Sequence, residues 1–376
     1  MEMGRGCLVP LAREIRRHVG IPVSVAGRIS DAGVAERILE AGDADFVTLG
    51  RALHADPDMP RKSAESREDE ICSCVGCLKC SELLGQNEPV LCLANTQTGR
   101  ERQYAIRKAP RRRRVVVVGA GPAGLESARV LALRGHSVMV IERAGEPGGQ
   151  VLLSRLVPGR EDLAALPAYL AGAATRAGAQ IHLGVEATVD IVVSHRPDIV
   201  VVATGARPGF PFVPGIELSA AVDPFRVLTR AGGHVRRALV MGGGMLGVGV
   251  AHVLAERGTD VVVVEPGAEL AAELGVRPRW RYVGDLRARG NVTILLGATV
   301  EELYPDGALV RRAGEDLKLS DLDLVVPTRP MVPACELGEA LKALPDGPAV
   351  FDIGDCVLPR TAFEAMQEGA AIGHRL

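Results

Sequence analysis

The sequence predicts an α/β protein in which two Rossmann-like dinucleotide-binding units follow a short βα segment and a cysteine-rich connection. Three observations carry this expectation. From about residue 110 onward, apolar runs of strand length alternate with amphipathic stretches of helix length, the pattern of parallel strands covered by helices. One βαβ unit occurs twice, as RVVVVGAGPAGLESARVLALRGHSVMVIE (114–142) and ALVMGGGMLGVGVAHVLAERGTDVVVVE (238–265), the copies lying about 120 residues apart. Between residues 72 and 92, five of the chain's eight cysteines fall in one short polar stretch.

At 376 residues, 47% hydrophobic and 24% charged with a formal charge of −2, the chain suits a soluble protein of two or three domains and not a nucleic-acid binder. The run RRRR at 111–114 reads as a solvated lead into a strand. No uninterrupted apolar stretch reaches the roughly 18 residues of a membrane span. The N-terminus, MEMGRGCLVPLAREIRRHVG, lacks an apolar core with a small-residue cleavage site. Cytoplasmic residence is therefore expected, and in that compartment clustered cysteines are more often ligands than disulfides.

Residues 1–64 read as helix, strand, helix, strand: LVPLAREIRRHV, IPVSVAGR, AGVAERILEAG and ADFVTLGR. Both strands are nearly all apolar, as parallel strands buried on both faces are. Residues 65–107 are polar, thiol-rich and weakly periodic. Cys7 and Cys335 are expected in the core.

In the first repeated unit Gly119, Gly121 and Gly124 form G-x-G-x-x-G, and Glu142 closes the next strand. The first glycine permits the tight turn and the second lets the backbone approach a diphosphate. The third lets helix and strand pack closely, while the acid accepts a ribose hydroxyl. The second unit repeats this with Gly242, Gly244, Gly247 and Glu265. Two such sites imply two dinucleotides, a flavin and a nicotinamide, with hydride passing between them. Glu265 repels a 2′-phosphate and no Arg directly follows it, which favours NADH over NADPH.

Cys74, Cys77 and Cys80 form C-x2-C-x2-C, and Cys92 follows after eleven residues. Three such thiolates can converge on one face of a [4Fe–4S] cubane, with a fourth arriving from a distance. Zinc is the competing ion, although structural zinc sites favour two separated C-x2-C knuckles. Cys72 is a surplus thiol that could replace Cys74. Flavin beside cluster implies electrons taken in pairs and released singly.

VVATGARP (201–208), FDIGDC (351–356) and EPGGQ (146–150) complete a set that resembles the two-dinucleotide flavoproteins of the glutathione reductase type. That resemblance implies FAD on the first unit, beside Ala123, Gln150, Arg160, Thr204, Gly205 and Gly354, with Asp355 on the ribityl chain. It implies a FAD domain of residues 108–225 and 329–376, into which a nicotinamide domain of residues 226–328 is inserted. Without the other segments, IGD alone would be an ordinary Gly-Asp turn.

IPVSVAGRISDAGVAERILEAGDADFVTLGRALHADPDMPRK, followed by the cysteines and GAGPAGLE, resembles the old-yellow-enzyme relatives that carry a C-terminal flavoprotein half. These are the 2,4-dienoyl-CoA reductase, trimethylamine dehydrogenase and histamine dehydrogenase family. The resemblance implies that residues 1–64 are the last two βα units of a TIM barrel, with FMN contacted by Gly27, Arg28, Gly50 and Arg51. Six barrel strands of that family have no counterpart here. FMN is thus expected only if the barrel is completed, and a partner chain or a truncation is implied. The function implied is transfer of electrons from NAD(P)H through FAD and [4Fe–4S] to FMN, reducing an activated C=C substrate. The alternatives are an amine dehydrogenase-like system exporting electrons to a carrier protein, or a non-catalytic FAD-binding fragment. C-x2-C-x2-C is nearer the amine dehydrogenases than the reductases' C-x2-C-x3-C, and Gly249 stands where relatives commonly have Glu.

Overall fold

Valine runs set the two parallel sheets, because β-branched side chains are stiff at χ1 and pack well on a pleated surface. The computed structural model describes residues 4–230 and 235–376. Residues 1–3 of the expected barrel segment and 231–234 of the expected nicotinamide domain lie outside the described residues. The first sheet has five parallel strands in the order Ala349–Asp352, Ile199–Val202, Arg114–Val118, Ser137–Glu142 and Gln180–Leu183. Its central strands are sealed on both faces: Val117, Val140, Val200, Val201 and Val202 have no exposed surface. The strand 349–352 joins from far along the chain, so residues 114–202 and the C-terminal segment make one unit.

The second sheet is also parallel, in the order Val292–Leu296, Asp260–Glu265, Arg237–Met241 and Leu324–Pro327. A three-stranded antiparallel sheet, Ala298–Tyr304, Gly307–Arg312 and Glu315–Leu319, covers one side of it through Leu303, Val310 and Leu319. The chain leaves the first unit along Ala206–Pro208 and returns along Met331–Pro333, and these two segments pair antiparallel. The α/β class with two Rossmann-type units is what the chain forms.

Helix Pro122–Leu133 of the first unit packs against the C-terminal helix Ala362–Arg375 almost backbone to backbone. A Cβ on Gly369 would stand 2.4 Å from the Ala123 carbonyl oxygen, closer than any real contact. Thr361 and Glu364 form a capping box that starts the C-terminal helix at this register.

The N-terminal segment has the expected element order, helix Val9–His18, strand Ser24–Val25, helix Ala32–Glu40 and strand Phe46–Val47, the strands pairing in parallel. The expectation that both strands are buried on both faces is not met. The paired portions are only two residues long, Phe46 is 59% exposed and Ile21 is 72% exposed. Among the described residues no further strand lies beside them. Cys7 and Cys335 are half-buried rather than enclosed. Among the described residues, no helix is long and apolar enough to cross a membrane.

Leu125, fully buried beneath the first sheet, gives a test of this core. Leu125→Ala should cost about 2–5 kcal/mol, seen as a clear drop in the thermal unfolding midpoint by circular dichroism.

Candidate functional site

The first glycine turn forms an open cradle. Gly119 has φ +102°, and a Cβ there would lie 2.3 Å from the Ala203 carbonyl oxygen; on Gly124 it would lie 1.9 Å from the Gly119 carbonyl oxygen. Gly121, which starts the helix, has nothing within 4 Å of its Cβ position. Two glycines are thus demanded by packing, and the middle one faces the open space a diphosphate would fill at the helix N-terminus. Glu142 accepts the Ala120 and Ala144 N–H groups at 2.7 and 2.8 Å, which fixes its carboxylate at the strand end. Gly354, at φ +71°, abuts the same place, its Cβ position 3.1 Å from the Ala123 Cβ. Asp355 follows it, accepting the Arg360 N–H at 3.0 Å, and burial pushes its carboxyl above the usual range. Gln150 donates to the Ala206 carbonyl at 2.8 Å, and Thr204 donates to the Ala334 carbonyl at 2.6 Å, pinning the two crossing segments beside Gly205. These residues fit an adenine dinucleotide carrying a ribityl chain.

Arg160 reaches toward the second unit. Its guanidinium contacts the Met245 sulfur at 3.0 Å and stands over the Tyr282 ring, both in the second unit. It bridges the two units.

The second turn repeats the packing but not the opening. A Cβ on Gly247 would stand 1.9 Å from the Gly242 carbonyl oxygen, as in the first unit, and Glu265 accepts the Gly243 and Gly267 N–H groups. Around Gly244, however, Glu273 Oε1 and Arg329 Nη2 lie 2.6 and 2.7 Å from the Cβ position. Gly249 faces Tyr282 Oη, 3.1 Å from its own Cβ position, so a larger residue there needs the tyrosine to move.

The four thiols Cys74, Cys77, Cys80 and Cys92 are half-buried and lie within electrostatic reach of one another. Burial, reinforced by neighbouring thiols, pushes Cys77 up to about 12 and Cys92 up to about 11. Backbone N–H groups partly oppose this: Lys79 donates to Cys77, and Asn95 and Ala94 donate to Cys92. Gly76 and Leu78, either side of Cys77, both have positive φ, at 66° and 62°. Left-handed residues of this kind turn successive N–H groups toward an anionic centre, the device of many iron–sulfur loops. A zinc ion needs sulfurs about 3.8 Å apart around a 2.3 Å Zn–S bond. Among the described residues, no three side chains of ligand type converge to hold a metal ion. The four thiols and the N–H groups of Lys79, Ala94 and Asn95 are a donor set of the kind that holds a thiolate-ligated metal centre. Cys72, 3% exposed, lies within electrostatic reach of Cys92, and its thiol donates to the Ala94 carbonyl within the core.

Gly27–Arg28 and Gly50–Arg51 follow the two paired N-terminal strands at the same end. Gly27 needs its φ of +122°, since a Cβ would press on Leu8. Arg28 is ion-paired with Asp162 of the first unit and 8% exposed. The charge of Arg51 acts on Cys80. Gly50, like Gly121, has nothing within 4 Å of its Cβ position.

Sequence reasoning missed the polar seam beneath the cysteines. Glu126, 1% exposed, accepts Thr96 Oγ1 at 2.5 Å and both Nε and Nη2 of Arg129 at 2.7 and 2.8 Å. Burial works against the Arg129 charge, but Glu126 outweighs it and keeps the guanidinium firmly protonated. Asp56, also buried, accepts the Cys72 N–H at 2.9 Å and Lys62 Nζ at 2.6 Å. The signal was present as two charges three apart on an otherwise apolar helix, PAGLESARVLAL.

Residues 113–369 match the pyridine nucleotide-disulphide oxidoreductase family model. The chain belongs to that family. Its members are flavin-dependent NAD(P)H oxidoreductases, and the match covers both glycine turns and Asp355. A metal reductase of Desulforamulus reducens is 32% identical across 98% of this chain, which spans 60% of that relative. An NADH oxidase of Thermoanaerobacter brockii is 35% identical across 83% of this chain and 49% of its own length. A 2-naphthoyl-CoA reductase solved with 2-naphthoyl-CoA superposes with a TM-score of 0.93 at 29% identity, covering all of this chain and 57% of that one. The chain therefore spans about half to three fifths of the relatives it matches. These relatives bear out the resemblance to flavoproteins of the old-yellow-enzyme type.

The oxidoreductase cradle separates packing from binding. Gly121→Val should fold with an unchanged melting midpoint and retain less than about a tenth of its FAD, measured by flavin absorbance per chain. Gly124→Val should fail to fold.

The raised thiols make a second prediction. A thiol ionises only as pH rises through its pKa, so at pH 8.5 Cys77 and Cys92 of iron-free protein stay protonated. Iodoacetamide should alkylate them on the order of a hundredfold more slowly than glutathione, as read by peptide mass spectrometry.

Proposed function

We propose that the chain is the electron-input part of a flavin and iron–sulfur oxidoreductase. It would take electrons from NAD(P)H at FAD and send them one at a time through a [4Fe–4S] centre to FMN, for reduction of an activated C=C bond. The hydride supplies two electrons and, with one proton from solvent, accounts for the two C–H bonds formed on the substrate. NADH is the favoured donor, because Glu265 stands at the end of its strand with its carboxylate committed to two backbone N–H groups.

The observation that carries this reading is a shared core. Cys77 and Cys92 pack against the same buried cluster that contains Ala123, Leu125 and Ala203, so thiols and glycine turn share one core. Gln367 of the C-terminal helix donates to the Cys92 carbonyl at 3.3 Å, and Lys79 stands over Phe363. In this arrangement the residues of the chain bind and orient: Glu142 and Asp355 for FAD, and the N–H groups of Lys79, Ala94 and Asn95 for the sulfur ligands. FAD, when bound, supplies the conversion between paired and single electrons.

FMN and substrate require more barrel than residues 1–64 supply. The exposed Leu11, Ile15, Ile21 and Phe46 give that segment an apolar face that six further βα units would cover. Such units would come from a partner chain or from further sequence. Nucleic acid and membrane are not partners in this reading, and the cytoplasm is its compartment.

A second reading has one observation in its favour. Gly249 stands where relatives commonly have Glu, and the crowding by Tyr282 keeps the position small. Electrons would then enter at FMN and leave through the cluster to a carrier protein.

NADH added anaerobically to protein purified without oxygen should bleach the bound FAD stoichiometrically under the first reading. A flavin indifferent to both nicotinamides would favour export. In either case Cys77→Ser should remove the broad iron–sulfur absorbance while FAD content stays unchanged; zinc found in place of iron by elemental analysis would overturn the relay.

A further inference from the structure

The duplication allows the two nucleotide sites to be compared position by position. The registers of the two sheets align Val118 with Met241 and Val202 with Pro327. Gly148 donates its N–H to the Ala120 carbonyl at 2.8 Å, and Ala271 donates to the Gly243 carbonyl at 2.7 Å in the same role. Counting on from these anchors, Glu273 occupies in the second unit the place of Gln150, and Arg329 the place of Thr204. Both therefore sit at the mouth of the glycine turn, where the first unit presents neutral side chains.

Their contacts are not those of an incidental surface pair. Glu273 Oε2 accepts the Met245 N–H at 3.2 Å, at the first residue of helix Met245–Glu256. Its other oxygen is paired with Arg329 Nη2. The carboxylate thus lies over Gly244, between a helix N-terminus and a guanidinium, the two partners a diphosphate would use. In the first unit the matching space over Gly121 is open. Leu270, 1% exposed, is pressed against Gly243 and holds the 266–274 loop that carries Glu273 over the turn.

We infer that Arg329 is the diphosphate-binding residue of the second nucleotide site and that Glu273 is its resident anion, displaced when a dinucleotide binds. The inference rests on the reading of the second unit as the nicotinamide site. Glu273 keeps Arg329 in the binding position in the absence of nucleotide and competes with the nucleotide for it. Exchange replaces one carboxylate charge with the two of a diphosphate at the same helix end. Removing the resident carboxylate should strengthen nucleotide binding, the reverse of what loss of a contact residue does.

Titration calorimetry of anaerobically purified, FAD-loaded protein with NADH and with NADPH tests this. Exposed ion pairs and helix-end charges together are worth about a factor of ten. Glu273→Gln should therefore bind NADH about five- to tenfold more tightly than the unaltered protein, with the same FAD content and melting midpoint. Adding Arg329→Gln to that variant should weaken binding by about tenfold. If the unaltered protein binds NADH and Glu273→Gln binds it equally or more weakly, the inference falls while the nicotinamide reading stands. If neither nucleotide binds to any of these proteins, the nicotinamide reading falls and takes the inference with it.

Discussion

Backbone contact at the third glycine of each repeated unit is the constraint on which the rest of the structure depends. In both copies the Cβ position of that glycine falls 1.9 Å from the carbonyl oxygen of the first. No side chain can stand there, so the helix lies directly on the turn and its N-terminal N–H groups point at the space above the sheet. The first-unit helix in turn fixes the C-terminal helix through Gly369, because that glycine meets the Ala123 carbonyl backbone to backbone. The C-terminal helix follows Gly354 and Asp355 and contacts the Cys92 carbonyl. One close approach therefore sets the positions of the flavin cradle, the ribityl acid and one edge of the thiol loop.

The buried Glu126–Arg129 pair ties the cysteine segment to that same helix. Charges out of water are costly unless paired and fully hydrogen-bonded. Here Thr96 completes the set from the segment just after Cys92, so the helix supplies two members and the thiol-bearing chain the third. Asp56, Lys62 and the Cys72 N–H do the same on the other side of the cysteines. Such networks are directional, and they resist sliding of one segment over another as apolar packing does not. The thiol loop is thereby held at a defined position relative to the first glycine turn.

Much of this was legible in the sequence because glycine, valine and cysteine are used for reasons that operate locally. The G-x-G-x-x-G spacing fixes a turn and a helix start, and four consecutive valines fix a buried strand. C-x2-C-x2-C brings thiols onto one loop. What escaped depends on residues distant in sequence. The contacts of the Arg160 guanidinium, Met245 and Tyr282, lie about a hundred residues on. The ion-pair partner of Arg28, Asp162, lies 134 residues away. The short N-terminal strands were overestimated because apolar character records the environment a strand is suited to, not which neighbours a given chain contains.

The two copies of one fold have diverged in electrostatics while their packing stayed the same. The first offers a diphosphate an uncharged mouth, with Gln150 and Thr204 engaged to carbonyls. The second places a carboxylate and a guanidinium in that mouth. A tightly retained cofactor needs no competitor, since it is bound once and kept. An exchangeable one benefits from a site whose charges are satisfied between visits, because an unpaired arginine at a helix N-terminus would attract any phosphate. Among the described residues, the thiol segment joins the hydrophobic core of the first unit, and the core of the second contains none of its residues. The unit with the open mouth is thus the one whose core the cysteine segment shares, while the unit with the guarded mouth meets that segment through polar contacts such as Arg277 to Ser81.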